Sequence, residues 1–406
     1  MLFKDVIGQE EVKKHLIEMV EHNRLSHALL FLGKEGSGAL PLAITFAQYI
    51  SLLPNLSMPA EVSLFGDAPA EVKLPSTAEE ADNWMQNQAA FAKAVNLVHP
   101  DIHFSYPVVT KKAGTPPISA DYITEWREFI QQYPYGNVYD WLQFIGAENK
   151  QGNITAQECN DIIRKLNLKS FENGYKVLVM WMPEYLGKEG NKLLKLIEEP
   201  PANTLFILVA ENEDQILSTI LSRCQLVKVP ALNTDAVETA LINKAKVQPE
   251  QAKQIANICG GNYREALHVL QHADEDFGNL LRDWLNATLK NATTTQIKCI
   301  EELARMGREN QKQFLRYFTH LLEVAIRLQV LHEEGQLAVL NTLSEQEKSF
   351  VPRLNKAMSL EQQEAIAEEL DKATYHIERN ANAKILFHAL TIKIYHIVKN
   401  NILISV

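Results

Sequence analysis

"FLGKEGSGALPLA", Phe31 to Ala43, is the stretch on which the fold turns. An apolar run, Ala28 to Leu32, leads into Gly33, Gly36 and Gly38, and the apolar segment "ALPLAITFAQYISLL" follows from Ala39. Strand, glycine loop and helix in that order are the setting of a phosphate-binding loop. In a working loop the glycines let backbone N–H groups approach phosphate, a Lys neutralises its charge, and a hydroxyl holds magnesium. Here Ala39 and Leu40 stand where the Lys and the hydroxyl residue belong. Gly33, Gly36, Ser37 and Gly38 can still make the turn, while Lys34 comes too early and reads as a solvated loop lysine. The spacing predicts a phosphate loop that has kept its geometry and lost its chemistry.

Upstream, Val12, Leu16, Ile17 and Val20 recur at helical spacing and predict an amphipathic helix over Glu10 to Glu21. Downstream, from about Pro54 to Gly152, the pattern is irregular and broken by runs such as "TKKAGTPP". That length exceeds a plain connection, so residues 54–152 are expected to be an insertion with some helices of its own. Regular alternation resumes with "NITAQECNDIIRKLNL" as a helix and "YKVLVMWM" as a buried strand. "GNKLLKLIEEPP" then reads as a helix stopped by two prolines, "NTLFILVA" as a second buried strand, and "ILSTILSRCQLVKVP" closes the unit. Short apolar strands alternating with helices predict an α/β fold with a largely parallel sheet covered on both faces. No strand signal follows Pro230. Phe314, Phe318, Leu321, Leu322 and Ala325 share one face of a long helix, which predicts a C-terminal helical bundle.

The length of 406 residues implies two or three domains, and 46% hydrophobic with 22% charged residues is ordinary globular composition. A formal charge of −10 argues against coating nucleic acid by bulk electrostatics. No apolar run reaches the ~20 residues that span a bilayer. The N-terminus "MLFKDVIGQEEVKKHL" lacks a signal-peptide pattern, so a cytoplasmic location is expected, with no membrane partner. Cys159, Cys224, Cys259 and Cys299 are far apart and form no C-x-x-C pair, so neither a zinc site nor a disulfide framework is expected.

Several segments together resemble the clamp-loader branch of the AAA+ ATPases, in particular the delta-prime family of bacterial DNA polymerase III. They are "FKDVIGQEEVKKHL", "LSHALLFLGKEGSG", "HPDIHF", "NKLLKLIEEPPANTLFILVA", "STILSRCQ" and "GGNYREAL", in the family's order over about the first 270 residues. The E-E-P-P and S-R-C elements at this separation are the specific part. The match of the C-terminal segment "RNANAKILFHAL" is loose. The resemblance implies a RecA-like AAA+ domain over residues 1–230, a small helical lid over 231–273 and an α-helical oligomerisation collar over 274–406. It implies a subunit of the ring that opens a sliding clamp and loads it on primer–template DNA, with gamma/tau-like and delta-like subunits as partners.

Where active members of the branch place an Asp for magnesium and a Glu to orient water, this chain has Trp181 and Met182, with Glu184 two positions on. Trp and Met cannot ligate a cation that demands oxygen. The polar sensor position falls at Ala210 or Glu211. These losses remove nearly every electrostatic element of phosphoryl transfer, so no catalysis, no metal and no tight ATP·Mg binding are expected at this chain's own site. Arg223, between Ser222 and Cys224, matches the family's arginine finger, which acts in trans on a neighbour's ATP site. The alternative for a lone arginine is a surface salt bridge. Arg264 matches the lid arginine that meets γ-phosphate in active members; with no nucleotide here, a salt bridge is at least as good a reading. His99 and Asp101 of "HPD" read as loop-structuring residues. Many bacterial members carry a four-cysteine zinc module before "HPD", and this chain departs from that pattern, having no cysteine from Ser51 to Val98. Two other readings stay open: an active gamma/tau-like ATPase, and an AAA+-fold adaptor that binds other proteins.

Overall fold

The computed structural model describes residues 1–53, 74–111, 114–147, 150–171, 174–271, 277–332, 336, 340, 343, 345–378 and 381–402. They group into two compact units. One comprises Met1–Lys244 with Cys259–Glu265, the other Ala245–Ile258 with Ala266–Val406.

The first unit is built on a five-stranded sheet. Its strands are β1 (Ala28–Leu32), β2 (Ile102–Ser105), β3 (Lys176–Trp181), β4 (Thr204–Ala210) and β5 (Gln225–Lys228), in the order β2-β3-β4-β1-β5 with every pair parallel. β3 and β4 are buried at every position because helices cover both faces, which is why their sequences are continuous apolar runs. Alternate residues divide between two cores. Leu29, Phe31, Val177, Val179, Trp181, Ile207 and Val209 join a cluster with the helices α1 (Glu10–Glu21) and α2 (Ala39–Leu52). Leu30, Leu178, Met180, Phe206 and Leu208 join another with α7 (Ala156–Leu166). β5 buries only Val227, as suits an edge strand. A parallel sheet covered on both faces is what the sequence pattern predicts, and this strand order suits the RecA-like AAA+ domain that the resemblance implies.

The expectation of an insertion over 54–152 is corrected in part. Residues 54–73 lie outside the described residues, but β2 is a strand of the sheet itself and pairs with β3 from Ile102↔Val177 to Ser105↔Met180. The helices α3 (Ala78–Gln86), α4 (Phe91–Val95), α5 (Ile123–Gln132) and α6 (Val138–Phe144) contribute to the same core as β1. Trp126, Phe129 and Trp141 are fully buried, and Trp126 packs its ring 4.0 Å from Tyr106 and 5.3 Å from Trp181. The elements here are short, four to ten residues, so no periodicity accumulates. The helix read in "GNKLLKLIEEPP" is corrected as well: a 3₁₀ run over Pro183–Leu193, interrupted at Gly187, precedes a single α-helical turn and more, α8 (Leu194–Glu198).

The second unit is helical throughout its described residues, with long helices at Phe277–Leu289, Thr293–Arg305, Arg308–Val330, Glu345–Ala357, Leu360–Glu378 and Ala383–Asn400. Phe314, Phe318, Leu321, Leu322 and Ala325 all lie in its core, as their spacing predicts. Trp284 is fully buried there and its Nε1–H donates to Thr391 Oγ1 at 2.9 Å. Among the described residues no helix is long and apolar enough to cross a membrane.

Candidate functional site

The glycine loop leaves the end of β1 and turns into α2 at Gly38, whose φ of +90° is open to glycine and few others. Gly36 has φ +72°, and a Cβ there would lie 1.9 Å from Asn262 Oδ1. A Cβ on Gly38 would lie 3.1 Å from the Tyr135 ring. The bare backbone of this loop is therefore approached closely by the chain's own side chains.

Three segments distant in sequence meet on the loop. Glu35 accepts hydrogen bonds from Asn137 Nδ2 (2.9 Å), Asn262 Nδ2 (3.2 Å) and the Arg264 guanidinium (3.1 Å). Arg264 also donates through Nε and Nη2 to the two carboxylate oxygens of Asp140, both at 2.6 Å. Asp140 and Asn137 form a reciprocal capping box at the start of α6, each accepting from the other's backbone N–H at 3.0 Å. Arg264 is 5% exposed, so this two-pronged pair lies where water screens it weakly. Tyr135 completes the cover: its hydroxyl accepts from Ile7 N–H at 2.7 Å and its ring meets Tyr263 edge-on at 5.0 Å. Burial pushes the Tyr135 phenol well above its ordinary value, so it stays neutral.

What is left at the loop is a cavity of about 30 Å³ lined by residues such as Gly33, Gly36, Ala39, Tyr135, Trp181 and Met182. That is room for about one or two waters. Ala39 and Leu40 are buried at the start of α2, Lys34 is exposed, and Ser37 is buried. The Ser37 hydroxyl finds no hydrogen-bond partner among the described residues. Trp181 packs against Trp126 and Phe129 while its edge lines the cavity. The Glu184 carboxylate accepts the backbone N–H groups of Glu211 (2.7 Å) and Asn212 (2.9 Å), tying down the end of β4; burial raises its pKa. Ala210 is buried. Among the described residues no cluster of His, Cys, Asp and Glu could hold a metal ion, and none of the four cysteines forms a disulfide. Beside this small cavity neither a lysine nor a hydroxyl residue stands at the first two positions of α2, and Lys34, Glu35 and Glu211 are the charged residues of its lining.

Arg223 sits elsewhere, on the turn between α9 (Ser218–Leu221) and β5. Its guanidinium donates to Thr219 O (2.6 Å) and Ser222 Oγ (3.1 Å) and pairs with Glu198 of the E-E-P-P element; it is 34% exposed. β5 enters the sheet opposite Leu29, near the start of β1, whereas the glycine loop leaves the far end of β1. The two are thus about a strand length apart, ~15 Å. Ser222 is exposed, and Cys224 is partly buried with its thiol pushed up to about 11, which makes it unreactive. His99 Nδ1 accepts from Asp101 N–H at 3.2 Å, and Asp101 accepts from Phe171 N–H at 2.7 Å and Val177 N–H at 2.8 Å. Both residues structure the loop before β2.

Sequence reasoning singled out the glycines, Arg264 and Arg223, and missed Glu35, Tyr135, Asn137, Asp140 and Asn262. The Asn137–Asp140 capping box was the one local signal for that group.

Residues 76–233 match the family described as DNA polymerase III, delta subunit. The chain is 26% identical over 261 residues to DNA polymerase III subunit delta' of Bacillus subtilis, covering 64% of this chain and 59% of that protein. It is 31% identical over 133 residues to subunit delta' of Haemophilus influenzae, covering 32% of this chain and 41% of that protein. To subunit tau of Bacillus subtilis it is 24% identical over 286 residues, covering 69% of this chain and 39% of that protein. The chain thus spans well under two thirds of the length of these relatives. Taken with the ordered motifs, these similarities support a delta-prime-like protein of the bacterial clamp-loader type.

Proposed function

We propose that this delta-prime-like chain is a non-hydrolysing subunit of a cytoplasmic bacterial clamp loader, and that it lends Arg223 to a neighbouring subunit's ATP site. One observation carries the reading: the space at the glycine loop is occupied by Tyr135 and by the Glu35–Arg264–Asp140 network, with about 30 Å³ remaining. A nucleoside triphosphate needs several hundred Å³ of cleft. Without the Lys, the hydroxyl and the magnesium ligands, the chain has no means of stabilising a transferring phosphoryl group. The similarity to tau favours the rival reading of an active ATPase, and the same filled cavity and Trp181 and Met182 speak against it. An adaptor outside a ring would have no use for an arginine at the S-R-C position.

Arg223 suits action in trans because it lies about a strand length from its own loop, on an edge of the sheet, and keeps a third of its side chain exposed. Its intramolecular pair with Glu198 holds it in place until a phosphate competes for the guanidinium. Assembly with gamma/tau-like and delta-like subunits falls to the residues 274–406 part, with the sliding clamp and primer–template DNA reached through the assembled ring. The helix Ala383–Asn400 exposes Ile385 and Ile392, seven residues apart on one face, and Ile297 is exposed on the helix Thr293–Arg305. The division into domains 1–230, 231–273 and 274–406 belongs to this proposal.

The test is a loader reconstituted from this chain and its cognate ATPase and delta-like subunits. The chain alone should show no ATP turnover. Arg223→Ala should enter the complex normally and lower its turnover. A finger is worth ~10³–10⁵ at one site, so with several sites sharing the work the total falls without vanishing. Turnover by the isolated chain would refute the first half, and unchanged turnover with Arg223→Ala the second.

A further inference from the structure

At the opposite edge of the sheet from β5 lies a second cavity of about 240 Å³, alongside β2. Its apolar wall comes from Leu97, Ile102, Phe104 and Ile123, and Val98 stands exposed at its margin. Two cations line it from different elements, Arg127 of α5 and Lys165 of α7, and His103 lines it as well. Arg127 donates Nε–H to Leu97 O at 2.9 Å, and this is its hydrogen bond among the described residues, so both ends of the guanidinium fork are available. Lys165 pairs with Asp161 at 2.6 Å, an acid it shares with Arg164. Burial, with Lys165 second, lowers the His103 pKa to about 4, so the ring is neutral at pH 7 and serves as a hydrogen-bonding group.

The strand edge adds backbone polarity. Val177 N–H donates to Asp101 O, so in the parallel ladder Asp101 and His103 turn toward β3, and Ile102 and Phe104 turn their backbone groups outward. Among the described residues no strand lies beyond β2.

We propose that this cavity is a binding site for a carboxylate carried on an apolar body, with the carboxylate held by Arg127 and Lys165 and the apolar part against Ile102, Phe104 and Ile123. A planar guanidinium with a free fork matches a carboxylate's two oxygens. The volume suits a ring or branched alkyl group with its acid, and is too small for a nucleotide. A polyanion fits poorly, because Asp121, Glu125 and Glu128 lie on or beside α5 and would repel the rest of a phosphate chain. The site is independent of the clamp-loader reading: neither the glycine loop nor Arg223 takes part.

Two sources present such a group, a free aryl or alkyl acid and a glutamate flanked by apolar residues in a peptide. The experiment titrates the full chain with 3-phenylpropionate, its neutral amide, inorganic phosphate, and an end-blocked peptide of alternating glutamate and leucine, followed by NMR or calorimetry. The acid should bind with a Kd on the order of 1 mM or tighter. The amide should bind roughly tenfold or more weakly, as should the acid to Arg127→Gln or Lys165→Gln. Ala120→Leu fills the cavity without touching a charge and should weaken the acid similarly, with all variants checked for an unchanged melting temperature. Competition by the peptide assigns the site to a protein partner; binding of the free acid alone assigns it to a small molecule. Equal binding of acid and amide, phosphate displacing the acid at equal concentration, undiminished binding to both charge variants, or no binding at all would overturn the proposal.

Discussion

Replacing Arg264 by Met keeps much of the side chain's bulk and removes its charge, and it tests whether the glycine loop is held by ion pairing. The guanidinium makes two bonds of 2.6 Å to Asp140 and one of 3.1 Å to Glu35, with Arg264 itself 5% exposed. Breaking a buried pair from one side costs about 3–5 kcal/mol, mostly from the charge left behind. Here the acids are partly wetted, Glu35 at 16% and Asp140 at 22% side-chain exposure, and Asn137 and Asn262 still donate to Glu35. The expected loss is therefore at the lower end, about 2–4 kcal/mol. Urea unfolding followed by tryptophan fluorescence is the assay, since Trp84, Trp126, Trp141 and Trp181 lie in the first unit and Trp284 alone in the second. Adding Glu35→Gln and Asp140→Asn to Arg264→Met removes the stranded charges and should recover at least half of the loss. A single variant within about 0.5 kcal/mol of the parent, the range of ordinary surface changes, would refute the reasoning. So would a triple variant no more stable than the single one.

Restoring the missing loop residues with Ala39→Lys and Leu40→Thr should not restore ATP binding, because Tyr135 and the Arg264 network still fill the site; calorimetry would expose the error as a measurable heat of binding. His103 makes stability depend on acid. Its folded pKa of about 4 lies below the ordinary 6.5, so between those values the unfolded chain binds more protons and stability falls as pH falls. Up to about 3 kcal/mol is lost by pH 4, and His103→Gln should flatten that slope in urea titrations at pH 7, 5.5 and 4. Ile385→Lys with Ile392→Lys should leave the melting temperature nearly unchanged, since both side chains are more than half exposed, yet weaken entry into the reconstituted loader by size-exclusion analysis.

Legibility tracked the length of each signal and its distance along the chain. α1, β3 and β4 were readable because each carries a sustained pattern, helical for α1 and uninterrupted apolar for strands covered on both faces. β2 was missed because "IHFS" is four residues long and two of them are polar, so it looks like loop until β3 is placed beside it. The residue types at Ala39, Leu40, Trp181 and Met182 were plain, since they are read position by position. The side chains that gather on the loop were not. Glu35 meets Asn137 across 102 positions and Arg264 across 229, and no local spacing announces such a meeting. Arg223 was found as a motif, but its place at the other end of the sheet from the loop follows only from the register of β1 and β5.

The ion pairs around Glu35 bear on how this protein would answer to the energy state of its surroundings. A fold that needs nucleotide to complete its phosphate loop gains stability as RT ln(1 + [L]/Kd) and so tracks ligand concentration. In this chain Arg264 and Glu35 are joined to the same backbone, so the effective concentration of the group that fills the loop is fixed by geometry and cannot be diluted. Under the proposed non-hydrolysing function, linkage of this loop to ATP or ADP vanishes, and with it any local shift driven by their ratio. The loop end of the first unit would then hold one conformation while a neighbour turns over its nucleotide.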